Sequence, residues 1–256
     1  MTTQNNSISN SFDSLKDKSD EYKVIRFSCL IYSPDKALRV EGYKNLLLIA
    51  QKQKWTYYID EIVSQLKGDK LVYSLVEKFI PNDYEKNCNK IIGQIETYDK
   101  FFSKINSKEL KNESVKIKDY AKHYYDLGCF SQYISIFNRF LINLKSEFSD
   151  AELHQTLVKF VLACSIKRQY DLAISELSKL KNQYNLYDIG IYTFFLKLIN
   201  GKFKLAEDEI LSVGKNIFPE VFDKLIDKES IFKYFVLMLL VCYRKQALGN
   251  LVSKFF

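Results

Sequence analysis

The sequence predicts an all-α protein built from antiparallel helical hairpins. Three observations predict it. A five-residue signature recurs three times, as Ala121, Tyr124, Gly128, Tyr133 and Phe137, then Val161, Cys164, Arg168, Ala173 and Leu177, then Phe194, Lys197, Gly201, Ala206 and Ile210, always with steps of three, four, five and four residues. Only three prolines and eight glycines interrupt 256 residues, which favours long helices. Apolar residues also recur at helical spacing, as in Val40, Tyr43, Leu47 and Ala50.

Each copy of the signature reads as two helices that cross at small residues, with the turn at or beside the Gly. That is the logic of a tetratricopeptide-like helical repeat, an α-solenoid, here with an N-terminal helical extension. Ala121, Tyr124, Gly128, Phe137, Ala173, Gly201 and Ala206 are the structural residues of the repeat. The copies start 40 and then 33 residues apart, at 121, 161 and 194, so the repeat is degenerate. The third copy carries Lys197 where the others are apolar or aromatic. A generic all-α domain whose hairpins share this spacing by coincidence is the alternative.

Three regions follow: a disordered tail over 1–20, a helical region with one long helix over 21–107, and the repeat domain over 108–256. The tail is polar and cannot bury enough apolar surface to fold. A helix over 22–32 carries Val24, Phe27 and Ile31 on one face and ends at Ser33-Pro34, since the residue before Pro avoids helical dihedrals. Further helices are predicted over 35–52, 55–66 and 69–79, with Gly68 a stop between the last two. Pro81 is placed in the first turn of the longest helix. Along it Tyr84, Cys88, Ile91, Ile95, Tyr98, Phe102 and Ile105 alternate steps of four and three. Such a seam packs within the chain or forms a coiled coil with a partner. Gly93 lies off the seam and weakens this helix by up to about 1 kcal/mol. The hairpins fill roughly 108–214, with Ser149 or Asp150 capping the outer helix of the second. Phe218-Pro219-Glu220 marks a turn, and an apolar helix over 231–243 follows.

That last segment has 13 residues, including Lys233. At about 1.5 Å per residue it is too short for about 30 Å of hydrocarbon, so no membrane partner is expected. Phe232, Phe235, Val236, Leu239 and Leu240 dominate it and form a candidate interaction surface. The sequence stops at Phe255-Phe256, an end so apolar that the natural protein is expected to continue or a partner to cover it.

Composition and motifs exclude several function classes. The formal charge is +7, but 38 basic and 31 acidic residues are interspersed and no basic run exceeds two. This describes solvated helix faces, and no specific nucleic-acid partner is expected. The five cysteines lie at 29, 88, 129, 164 and 242 without a CxxC pair. They read as free thiols of a reducing compartment, nucleus or cytosol, and the polar N-terminus is no signal peptide. His123 and His154 stand 31 residues apart with no metal-ligand pattern around them. No phosphate loop or nucleophile elbow occurs. Catalytic residues, cofactors, metals and small-molecule substrates are therefore all expected to be none.

Over residues 26–66 an Arg26-bearing apolar helix, a break at Ser33-Pro34 and the stretch Leu38-Arg39-Val40-Glu41 follow one another, and in this order they resemble the N-terminal region of the first-subunit family of the COP-9 signalosome. Arg26, Leu30, Ile31, Pro34, Leu38, Arg39, Val40, Glu41 and Lys44, within VIRFSCLIYSPDKALRVEGYKNLL, carry the resemblance. Tyr58, Asp60, Glu61, Ile62 and Leu66 match a Tyr-rich helix of the family, and DYAKHYYDLGCF matches its first hairpin. Phe218-Pro219-Glu220 is similar to a family turn, and Leu239, Leu240, Tyr243 and Arg244 fall where the family has an apolar helix. Family members continue into a winged-helix module, which this sequence stops short of. The resemblance implies a non-catalytic scaffold subunit, nuclear and cytoplasmic, in the complex that removes Nedd8 from cullin-RING ubiquitin ligases. Its partners would be the other subunits, one of which carries the metal-dependent activity. The equivalent subunit of the proteasome lid is the rival. A free-standing repeat adaptor is a further alternative, for which Lys118 and Lys122 offer cations on the first inner helix.

Overall fold

A computed structural model describes residues 18–105, 109–181, 187–213 and Lys233. The described residues are 81% helix and contain no strand. The apolar segment over 231–243, with Phe232, Phe235, Val236, Leu239 and Leu240, lies outside them, as does the tail before residue 18. The chain divides into two compact units, Val24–Lys167 on one hand and Met1–Lys23 with Arg168–Phe256 on the other.

The first unit begins within α1 (Asp20–Leu30), which starts inside the region read as tail. Ser33-Pro34 breaks the chain, and α2 (Lys36–Lys52) starts under a cap in which Asp35 accepts a hydrogen bond from the Ala37 amide. Helix α3 (Thr56–Lys67) and the short α4 (Lys70–Val76) follow. The helix expected over 69–79 tightens to 3₁₀ geometry at Glu77–Phe79. The long helix α5 starts at Tyr84 and runs to Lys104, so Pro81 is not in its first turn; the Pro81 carbonyl instead accepts from the Tyr84 amide in the preceding turn. The seam of α5 is used within the chain. Tyr84, Cys88, Ile91, Ile95 and Phe102 are buried, and α5 packs on α3, while Ile92, off the seam, is exposed.

The first predicted hairpin consists of α6 (Ser114–Asp126) and α7 (Phe130–Arg139). It is bound to the N-terminal helices by a cluster of edge-to-face rings, in which Trp55 lies 5.0 Å from Phe130 and 6.1 Å from Tyr125. The Tyr57 amide donates to the Leu127 carbonyl at the same corner. A 3₁₀ segment that the apolar spacing did not announce, Leu141–Glu147, leads to α8 (Asp150–Ile166). Helix α8 opens with a full capping box: the Ser149 hydroxyl accepts from the Glu152 amide, and the Glu152 carboxylate accepts from the Ser149 amide. Phe137 and Phe160 stack at 3.8 Å to join α7 and α8.

The second unit holds α9 (Tyr170–Lys181), α10 (Tyr187–Ile199) and α11 (Phe203–Val213). Helix α10 packs on both neighbours and is apolar on nearly every side, with Ile189, Ile191, Phe194 and Leu196 fully buried. Asp171, at the start of α9, receives hydrogen bonds from Asn200 and Lys202 beside the α10–α11 corner.

The third position of every signature copy has positive φ: 79° at Gly128, 56° at Arg168 and 71° at Gly201. Lys54 has φ 61° as well, and it holds the third position in a fourth instance of the same spacing, Leu47, Ala50, Lys54, Ile59 and Val63. Its four flanking residues are all buried. At Lys54, Gly128 and Gly201 the same pair of hydrogen bonds closes the helix, one from the left-handed residue to the carbonyl three back and one from the next residue to the carbonyl five back. Two residues beyond each of the four corners the next helix begins.

Candidate functional site

Helix α6 has the sequence SVKIKDYAKHYYD, which separates two faces. Ile117, Ala121, Tyr124 and Tyr125 turn into the core. Lys118 and Lys122, one helical turn apart, lie on the adjoining polar face. On α8, Glu152, Gln155, Thr156 and Lys159 fall at helical positions i, i+3, i+4 and i+7 and form one polar stripe. These two faces are the walls of a groove of about 420 Å³, with Ala121, Tyr133 and Leu141 also lining it and Phe148 beside them.

The groups in this groove differ in how far they are already engaged. The Lys118 ammonium donates to the Glu147 carbonyl and lies 4.4 Å from the Phe148 ring centroid. Glu152 belongs to the helix cap, and hydrogen bonds from the Ser149 amide and hydroxyl hold its carboxyl below the ordinary range, with Lys118 adding to the effect. The Tyr133 hydroxyl donates to the Thr156 carbonyl at 3.2 Å. Lys159 lies over the Tyr125 ring at 5.0 Å. Loss of water lowers its pKa below the usual lysine value, the Lys122 charge adds to that, and Asp126 opposes it. Among the described residues no hydrogen bond or ion pair joins the ammonium of Lys122 or Lys159 to a carboxylate. The groove thus offers cations, an aromatic wall and hydrogen-bonding side chains, which is the chemistry of recognition.

The residues singled out from sequence are distributed as follows. Ala121, Tyr124, Phe137, Ala173 and Ala206 are buried packing residues, and Gly128 and Gly201 are corners. The Tyr124 hydroxyl donates to Asp99 at 2.6 Å, which links the hairpin to α5. Lys118 and Lys122 reach the groove. Lys159, Phe148 and Thr156 were not anticipated, although the stripe from Glu152 to Lys159 was a visible signal. His123 Nδ1 lies 2.7 Å from the Asp119 carbonyl and its ring is beside Tyr98. Cys29 is exposed, while Cys88, Cys129 and Cys164 are buried and free. Burial pushes these three thiols up, so they are poor nucleophiles. Among the described residues no group of three or more His, Cys, Asp or Glu could hold a metal ion, and no helix is long and apolar enough to cross a membrane.

Against family models, curated proteins and solved structures, the chain finds no match.

Proposed function

We propose that this chain is a non-catalytic scaffold whose stacked helical hairpins hold other proteins. The observation that carries the proposal is the recurring corner. Four stretches of the chain share one spacing and pass from one helix to the next through one left-handed residue, at Lys54, Gly128, Arg168 and Gly201. That recurrence favours a tetratricopeptide-like repeat over an unrelated set of hairpins. Repeats of this kind present extended surfaces for other chains, and in this reading the groove between α6 and α8 serves as one.

The assembly we propose is the COP-9 signalosome, in nucleus and cytoplasm, on the resemblance carried by residues 26–66. Its most specific stretch, Leu38 to Glu41, has a structural task here. Arg39 donates to Asp69 and to the carbonyls of Ser33 and Pro34, all at 3.0 Å, and so fixes the Ser-Pro break against α4. In this chain the motif serves local architecture, and the resemblance is offered on that ground and leaves activity aside. The isopeptidase chemistry of such a complex would be carried by another subunit.

Affinity purification of the endogenous full-length protein tests this. Co-purifying signalosome subunits support the assignment, proteasome base ATPases favour the lid subunit, and recovery without any stoichiometric partner overturns the scaffold. The purified chain is also expected to leave Nedd8–cullin conjugates intact, with or without zinc. Cleavage abolished by a single substitution overturns the non-catalytic role.

A further inference from the structure

We propose that the groove between α6 and α8 binds an extended acidic segment of a partner protein, with side-chain carboxylates of that segment paired to Lys122 and Lys159. The proposal rests on the protein-binding role above and names the chemistry of one surface. Three cations and two carboxylates line the groove, Lys118, Lys122 and Lys159 against Asp119 and Glu152. Two of these groups are already engaged, Lys118 with the Glu147 carbonyl and Glu152 with the cap at Ser149. Asp119 remains against two cations. Among the described residues no hydrogen bond or close ion pair ties Lys122 or Lys159 to a carboxylate, although the Asp126 charge acts on Lys159, and the two lysines belong to different helices of the groove.

Geometry selects the occupant. An extended chain points successive side chains to opposite sides, so two adjacent acidic residues of one strand meet the α6 wall and the α8 wall in turn. Its backbone can be held by Gln155 and by the Thr156 hydroxyl, which donates to the Glu152 carbonyl and is left to accept from an amide, both in the same stripe as Lys159. Lys159 is seated on the Tyr125 ring and half-buried, so its side chain is partly ordered before any partner arrives. That reduces the entropy lost on binding. An ammonium already short of water gains more from a carboxylate than a fully solvated one does.

The test uses the full-length chain and a fluorescein-labelled peptide of Glu and Leu with a central Glu-Asp pair and an amidated C-terminus. Fluorescence anisotropy should report saturable binding that weakens with salt. Lys122→Gln combined with Lys159→Met should weaken it by about tenfold or more. Met keeps the apolar stem over Tyr125, and circular dichroism melts should match the parent. Lys86→Gln, outside the groove, should leave binding unchanged. Absence of binding, or binding indifferent to the double variant, overturns the proposal. So does equal affinity for the Gln-for-Glu peptide, for a neutral peptide ending in a free carboxylate, or for an oligothymidylate. Failure here with partners still recovered by affinity purification removes the groove and leaves the scaffold; peptide binding with no partner recovered does the reverse.

Discussion

Lys197 and Glu209 form a 2.7 Å ion pair across the α10–α11 hairpin, with side chains only 15% and 10% exposed. The charged residue at a usually apolar position of the third copy thus has a buried partner one helix away. Two other residues of that copy, Phe194 and Ala206, are fully buried. Removal of Lys197 takes a close charged partner from the Glu209 carboxylate in a poorly hydrated place. Lys197→Met should therefore cost about 3 kcal/mol in urea denaturation, and Lys197→Met with Glu209→Leu should recover most of that. Equal losses in the single and double variants would show that the pair contributes nothing specific.

Gly128 and Gly201 occupy equivalent corners but should respond differently to substitution. Gly128 has φ 79°, and a Cβ there would lie 2.8 Å from the Cβ atoms of both Trp55 and Tyr58. Gly201 has φ 71° with open space around it. Gly201→Ala should cost about 1–2 kcal/mol, the strain of the left-handed region alone. Gly128→Val adds a clash with two core residues and should cost about 3 kcal/mol or more, a drop of several degrees in thermal midpoint. Similar midpoints for the two variants would remove the close approach from the explanation.

The fold should lose stability in alkali. Burial is the first cause that raises the pKa of the Tyr58, Tyr124 and Tyr133 hydroxyls and of the Cys129 and Cys164 thiols; at Tyr124 its bond to Asp99 adds to this. Tyr84 is pushed up to about 12, by burial and then by Glu85. A raised folded-state value leaves stability intact below the unfolded value. As pH rises past that value the unfolded chain ionises while the folded chain holds its protons, and stability falls. With unfolded values near ~8.5 for Cys and ~10 for Tyr, the decline should begin around pH 9 and steepen above about 10. Urea midpoints measured from pH 7 to 10.5 check this, and a flat profile contradicts it.

Thiol labelling should divide the cysteines of the described residues. Cys29, which is exposed, should react quickly with iodoacetamide in the native protein. Cys129 and Cys164 are fully buried and should be alkylated only as the fold opens. Mass spectrometry after a short pulse reads each site. Rapid native labelling of Cys129 would mean that the corner beside Gly128 is open.

Arg39→Lys should cost about 1–2 kcal/mol despite the retained charge. One ammonium on a flexible stem cannot reproduce the planar donor set that reaches Asp69, Ser33 and Pro34 together. An unchanged denaturation midpoint would show that the Ser-Pro break needs no such clamp.

Helical periodicity is a local property, and most of it was readable. The stripes of α2 and α5 and the cap at Ser149 follow from spacing and side-chain chemistry within a few residues. The 3₁₀ segment over Leu141–Glu147 was not, since residues whose apolar spacing fits two helix types are assigned by what they pack on. The fourth corner escaped because the residues from Leu47 to Val63 also fit two ordinary amphipathic helices, and only the left-handed backbone at Lys54 marks the turn as the same corner. That backbone, unfavourable for a residue with a Cβ, is set by the meeting of α2 and α3.

By itself the sequence determined that this chain is helical, where most helices start and stop, and which side of each is apolar, because caps, breaks and amphipathic stripes act over one or two turns. It also contained Lys118 and Lys122 as cations on one face of α6. Only the tertiary structure decided that Lys159, 41 and 37 positions further along, shares a groove with them, and that Glu209 answers Lys197. Those juxtapositions depend on which helix faces which, and for the groove that choice is made by rings that pack across helices, Trp55 on Phe130 and Phe137 on Phe160. Spacing along a chain records the face a residue occupies, but the surface opposite that face is set by packing between residues far apart in sequence.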